Sequence, residues 1–315
     1  MTTHFVRPDV QTYLDMLAAS PLPKFGAASV SDTRALIKMA RPLVDLDPIA
    51  LPVIRDVTIP GPSGAIPARL YDAREDRASG PVFVFFHGGG WTVGDVENYD
   101  PFCTEAAVAL DLPVVSIDYR LAPEHPFPAG PDDCEAAARW IAGSPAELGL
   151  GVSGLVFSGD SAGGNLALVT ALALRDKPAT VPVVALAPYY PATATGSDWG
   201  SYRDFGEGYF LTAQAMKFCG DNYQPDPKSP RAAPLLADLA GLPPTMLTTA
   251  SLDPLRDQGR AFAAKLIEAG VATTYREAKG NIHGFINFRK ITPSSQRDTL
   301  DSLAVLKAMI AEILA

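Results

Sequence analysis

The stretch G-D-S-A-G at residues 159–163 places a serine among small residues, directly after an apolar run and before a helix-like segment. A serine at such a strand-to-helix junction suits a tight, strained turn that lifts the hydroxyl clear of the backbone. That hydroxyl is a weak nucleophile at neutral pH and needs a positioned base, most often histidine. The chain has four: His4, His87, His125 and His283. His4 lies near the N-terminus, His87 precedes three glycines, and His125 sits in the proline-rich P-E-H-P-F-P. His283, in N-I-H-G-F, follows the last strand-like segment on a loop with Gly280 and Gly284, and is the candidate base for Ser161. An imidazole base predicts activity that falls below roughly pH 6 to 7.

A carboxylate should orient that histidine, and on such a scaffold it falls between serine and histidine in chain order. Asp253, in S-L-D-P-L-R-D, directly follows a strand-like segment and is the first choice. It could equally cap the following helix, with Pro254 in the first turn. Asp257, four residues on, is the alternative. Attack on an ester carbonyl creates an oxyanion, for which backbone N–H groups are natural donors. Ala162, after the serine, supplies one; the loop Gly88–Gly90 offers others without side chains in the way. A phosphate loop would continue Gly-Lys-Ser/Thr, but Gly90 is followed by Trp91-Thr92. A dinucleotide fingerprint starting at Gly88 would need glycine where Val93 stands. Histidines and cysteines show no metal-ligand spacing, so no metal is expected.

These groups need a scaffold. Strand-like runs fall at 53–59, 66–71, 82–86, 114–118, 155–158, 183–187, 246–250 and 273–278, with helix-like stretches at 132–142, 164–174, 254–269 and 299–314. The alternation predicts an α/β fold with a mostly parallel sheet flanked by helices. Residues 61–64 read as a hairpin turn, so the sheet begins antiparallel. Two regions break the rhythm: residues 1–50, with helix-like segments at 9–19 and 32–40, and the aromatic, glycine- and proline-rich residues 191–231. They form either a lid over the sheet edge or a peripheral decoration. With 315 residues, 47% of them hydrophobic, the chain can bury a sizeable core. Its net charge of −9 argues against a nucleic-acid partner. There is no apolar stretch of membrane-spanning length. Three cysteines and no visible signal peptide suit a reducing, cytoplasmic setting.

Taken together, H-G-G-G-W at 87–91, Y-R-L-A-P-E-H-P-F-P-A at 119–129, G-D-S-A-G-G at 159–164, D-P-L-R-D at 253–257 and H-G-F at 283–285 resemble the hormone-sensitive-lipase-like esterases of the α/β-hydrolase fold, in the subgroup with Asp160 before the serine. The resemblance covers residues 51–315 as the catalytic domain, with 1–50 and an insertion at 191–231 as a helical cap. It implies a triad of Ser161, Asp253 and His283, and oxyanion donors at Gly89, Gly90 and Ala162. It implies hydrolysis of short- to medium-chain acyl esters without a cofactor. Many members dimerise, making a homodimer an expectation. Trp91, Asp160, Tyr189, Tyr190, Phe210 and Phe285 are candidate walls of a substrate pocket, since ligand sites favour aromatic linings. The alternatives are an amidase or peptidase on the same fold and a non-catalytic small-molecule binder. The Y-R-L-A-P-E-H motif, His125 included, reads as structural.

Overall fold

Runs that are apolar at every position can be satisfied only where helices cover both faces of a sheet. V-F-V-F-F at 82–86 is such a run, and in the computed structural model, which describes residues 4–315, it lies at the centre of an eight-stranded sheet. The strands are β1 (Val53–Gly61), β2 (Gly64–Asp72), β3 (Ser79–Phe86), β4 (Val114–Ile117), β5 (Gly151–Asp160), β6 (Val183–Tyr189), β7 (Thr245–Leu252) and β8 (Thr273–Ile282). Their order is β1-β2-β4-β3-β5-β6-β7-β8. β2 is antiparallel to both neighbours, joined to β1 by a hairpin at Gly61 and Gly64, and every other pairing is parallel.

The period of two in a strand divides the core. Val82, Val84 and Phe86 join one apolar cluster with α4 (Ala129–Ala142), α5 (Ala162–Asp176) and α8 (Arg256–Glu268). Phe83 and Phe85 join a second on the opposite face, with α3 (Val96–Leu110) and α9 (Pro293–Leu314). At the antiparallel end, β1 buries Val57 and Ile59 and exposes Ile54, Arg55, Asp56 and Thr58. Phe86 is fully buried, so Phe86→Ala is expected to cost about 3–5 kcal/mol.

The sequence assigned no helix between β3 and β4, where α3 runs. Asp95 caps it by accepting Asn98 N–H at 2.7 Å, but Pro101 lies inside it and most of its residues are buried, which blurs the helical period. α9 starts earlier than expected, with Pro293 in its first turn. The off-rhythm regions are helical too: α1 (Pro8–Ala19), α2 (Val30–Val44), α6 (Gly200–Phe205) and α7 (Ala213–Tyr223). Residues 1–3 of the expected N-terminal segment lie outside the described residues. Ser29 and Asp32 form a capping pair at the start of α2, the Ser29 hydroxyl oxygen accepting Asp32 N–H at 3.1 Å. Val10, Tyr13 and Leu14 of α1 pack with Phe205, Leu252, Ile282 and Phe288. Both regions therefore sit over the loops that follow the parallel strands, where open α/β sheets place their ligands.

Candidate active site

β5 runs straight into α5 with Ser161 as the hinge, at φ 55° and ψ −115°. A non-glycine residue there is strained and persists only when its surroundings enforce it. Ser161 N–H donates to Tyr189 O at 2.9 Å, and Ser161 O accepts from Asn165 N–H at 3.0 Å and Ala192 N–H at 3.2 Å. Gly163 lets α5 close onto β3, because a Cβ there would overlap the Phe86 carbonyl oxygen. The turn thus holds the Ser161 hydroxyl up at the start of α5.

His283 follows β8, and Gly284 at φ 79° turns the chain after it. Its Nε2 lies 2.8 Å from Ser161 Oγ and its Nδ1 lies 2.7 Å from Asp253 Oδ2. Asp253, directly after β7, is fully buried, and its other oxygen accepts Leu255 N–H at 2.8 Å. The helix-capping reading of Asp253 is not met, because α8 starts at Arg256 with Leu255 as its N-cap and no side-chain cap; the second oxygen instead braces the turn from Asp253 to Leu255. Asp257 faces elsewhere: it accepts Ser201 N–H and pairs with Arg256. His87 is buried and stacked on Tyr119, with ring centroids 4.3 Å apart, His125 is exposed, and His4 packs edge-on against Phe205.

Gly89 and Gly90 carry φ values of 112° and 60°, turning the loop after β3 back on itself. Among the described residues, neither N–H donates to a protein acceptor. Ala162 is the first residue of α5, where the helix leaves its N–H groups unpaired and its dipole favours negative charge. Trp91 extends the loop and lies flat on Tyr223 of α7, centroids 4.3 Å apart and planes 2° apart.

Ser161 and His283 open on a cavity of about 750 Å³. Gly88–Gly90, Trp91, Asp160 and Phe210 line it, together with Leu14 and Leu17 of α1, Leu36 and Ile37 of α2, and Met216 and Cys219 of α7. Three expected wall residues are elsewhere. Tyr189 is on the α3 and α9 face, edge-on to Phe102; Phe285 is fully buried in the same cluster; Tyr190 is buried between Phe285 and the His283 ring. All three face the core, because the strand and turn that carry them point those side chains under the site. The sequence reading offered residues 1–50 and 191–231 as a lid but named none of the lining residues that α1, α2 and α7 supply.

The charged groups nearby are unequal. Asp160 is 2% exposed, and burial raises its carboxyl above the ordinary carboxylate value, opposed by the charge of His283 and by hydrogen bonds from Tyr99 and Gly88. Below the cavity, Arg289 and Asp45, both side chains fully buried, pair at 2.9 Å and fasten the end of α2 to the loop before α9. Among the described residues, no cluster of His, Cys, Asp and Glu could hold a metal ion, and no helix is long and apolar enough to cross a membrane.

A family model for the alpha/beta hydrolase fold matches residues 83–287. The chain belongs to the α/β-hydrolase family. Among proteins of that family it is 37% identical to the carboxylic ester hydrolase LipN of Mycobacterium tuberculosis, over 91% of this chain and 77% of LipN. It is 36% identical to the carboxylesterase NlhH of the same organism, over 96% of each chain. Among solved structures, an ester hydrolase from the Lake Arreo metagenome superposes with a TM-score of 0.92 at 36% identity, covering 97% of this chain and 99% of its own. The esterase of Pyrobaculum calidifontis does so with a TM-score of 0.88, also at 36% identity, over 97% of this chain and 99% of that one.

Proposed function

We propose that this α/β-hydrolase is a serine carboxylesterase that cleaves small-molecule esters through an acyl-enzyme on Ser161. The observation that carries this reading is the hydrogen-bonded line Ser161 Oγ, His283 Nε2, His283 Nδ1, Asp253 Oδ2, opening on an apolar cavity. Its carboxylesterase relatives, similar over most of the chain, support the ester as the bond cleaved.

Ser161 Oγ attacks the ester carbonyl while His283 Nε2 takes its proton. The N–H groups of Gly89, Gly90 and Ala162 receive the developing oxyanion. As the tetrahedral intermediate collapses, His283 passes the proton to the departing alcohol. It then takes a proton from water, whose oxygen attacks the acyl carbonyl, and returns that proton to Ser161 Oγ as the second intermediate collapses and releases the acid. Asp253 holds His283 with Nδ1 protonated, leaving Nε2 free to accept.

Residues 1–50 and 191–231 serve as a helical cap over a catalytic domain of residues 51–315; the cavity walls from α1, α2 and α7 support that division. Acyl chains of short to medium length suit the cavity, and three buried free cysteines suit a reducing cytoplasm. The test is hydrolysis of p-nitrophenyl esters from acetate to palmitate by wild type and Ser161→Ala. Turnover that peaks at short or medium chains and vanishes in the variant is expected. Equal turnover by the variant, or none by wild type, would contradict the proposal.

A further inference from the structure

The carboxylate of Asp160 occupies an unusual place: it is adjacent in sequence to Ser161, yet one oxygen reaches back across the sheet to the loop after β3. Oδ1 accepts Gly88 N–H at 2.7 Å, and the Tyr99 hydroxyl, itself 3.1 Å from the same N–H, donates to Oδ2 at 3.2 Å. Two further side chains approach Oδ2 from other elements, Tyr190 OH and Asn287 Nδ2, each at 3.5 Å. Asn287 in turn accepts from Arg41 Nη1 of α2 at 3.0 Å. No cation contacts the carboxylate directly among the described residues.

Taking an ionisable group out of water without a counter-charge is expensive, so a buried carboxylate held only by hydrogen bonds calls for a reason. The Gly88 backbone is shaped around it. A Cβ on Gly88 would lie 2.6 Å from Asp160 Oδ2 and 2.7 Å from Oδ1, so only glycine lets the carboxylate come this close. The bond therefore ties the residue before Ser161 to the residue before Gly89. Those are the immediate neighbours of the attacking hydroxyl and of the first oxyanion donor in the β3 loop. The distance between nucleophile and oxyanion donors is also set by the β3–β5 ladder, which ends at Phe86 and Gly159, and by the close packing of Gly163 on the Phe86 and His87 carbonyls; the Asp160 bond is the side-chain tie among them.

We infer that Asp160 is a positioning residue for ester hydrolysis: its carboxylate fixes the Gly88–Gly90 loop at the distance from Ser161 at which Gly89 and Gly90 meet the oxyanion. Asp160 touches no reacting atom in this scheme and acts only through Gly88. The inference rests on the esterase reading above. Its energetic logic is that of preorganisation: a donor displaced by about 1 Å forfeits on the order of 10² in rate. Tyr99 assists as the second acceptor of the same N–H, and Asn287 conveys the placement of α2 to the carboxylate.

The discriminating variants are Asp160→Ala, which removes the acceptor, and Asp160→Asn, which retains one for Gly88 N–H. Three quantities are measured with a p-nitrophenyl ester: kcat, KM, and the inhibition constant of an alkyl trifluoromethyl ketone, whose adduct carries the oxyanion. Asp160→Ala should lower kcat about 10²-fold and weaken the ketone about equally, with KM changed less than about threefold. Asp160→Asn should recover kcat to within about tenfold of wild type. Should Asp160→Ala fail to fold, Asp160→Leu, close to aspartate in shape and without an acceptor, carries the same expectation. A folded Ala or Leu variant with wild-type kcat and ketone affinity would overturn the inference. So would an Asn variant as slow as Ala, since the hydrogen bond would then not be the cause. Wild-type turnover abolished by Ser161→Ala, alongside an unaffected Asp160→Ala, would defeat this inference alone; wild type without turnover would defeat the esterase reading.

Discussion

Replacing Asp253 with asparagine tests how the site holds its base. The carboxylate gives one oxygen to Leu255 N–H at 2.8 Å and the other to His283 Nδ1 at 2.7 Å, and it is fully buried, so water cannot substitute. Asparagine has only one acceptor oxygen. If that oxygen stays on Leu255 N–H, the amide NH₂ faces Nδ1, and two donors cannot meet without the imidazole moving its proton to Nε2. His283 then presents N–H to Ser161 Oγ and cannot accept its proton. Inverting the tautomer in this way costs on the order of 10⁴ in kcat, or about 5 kcal/mol of transition-state stabilisation. The shape of the side chain is conserved, so the melting temperature should fall little. The assay is steady-state hydrolysis of p-nitrophenyl butyrate, with thermal unfolding as the control for folding. A folded Asp253→Asn variant within about tenfold of wild type would refute the tautomer argument.

Other outcomes follow from the same geometry. Asp45→Ala leaves Arg289 buried with only Glu105 as counter-charge, and should cost about 3 kcal/mol in urea unfolding; a loss below about 1 kcal/mol would contradict it. Cys103, Cys134 and Cys219 are buried and free, and burial pushes the Cys219 thiol up to about 12. Ellman's reagent at pH 8 should find no fast thiol in the native protein and three after denaturation; a fast native thiol would exclude that burial. Burial raises the Asp160 carboxyl, so its contribution to stability is greatest below the unfolded value near ~4 and is lost as pH rises through the higher folded value. Asp160→Asn does not titrate, and its melting temperature relative to wild type should climb from pH 4 to pH 8; a flat difference would show that the charge is not penalised.

What could be read in advance depended on how local its cause was. Ser161, Asp253 and His283 each sit immediately after a strand, flanked by residues that force a turn, and sequence records such local punctuation directly. The sheet was legible for the same reason: strands covered on both faces must be apolar throughout. The pocket walls depended on which way a strand-end aromatic points, and β6 turns Tyr189 towards α9 instead of the cavity. Composition carries no sign of that choice. α3 was hidden by Pro101 and by burial on most sides. The bond from Asp160 to Gly88 spans 72 positions and involves a residue whose only visible property is the lack of a side chain. Its meaning emerges only when β3 and β5 lie side by side.

The most direct test of the central claim is to catch the acyl group on its residue. Mixing the enzyme with p-nitrophenyl acetate, quenching in acid within milliseconds and mapping the peptides by mass should find one acetyl group, on Ser161. Its formation should match a stoichiometric burst of p-nitrophenolate if deacylation is the slower step, and His283→Ala should suppress both. An acetyl group on another residue, or turnover undiminished in Ser161→Ala, would contradict the account.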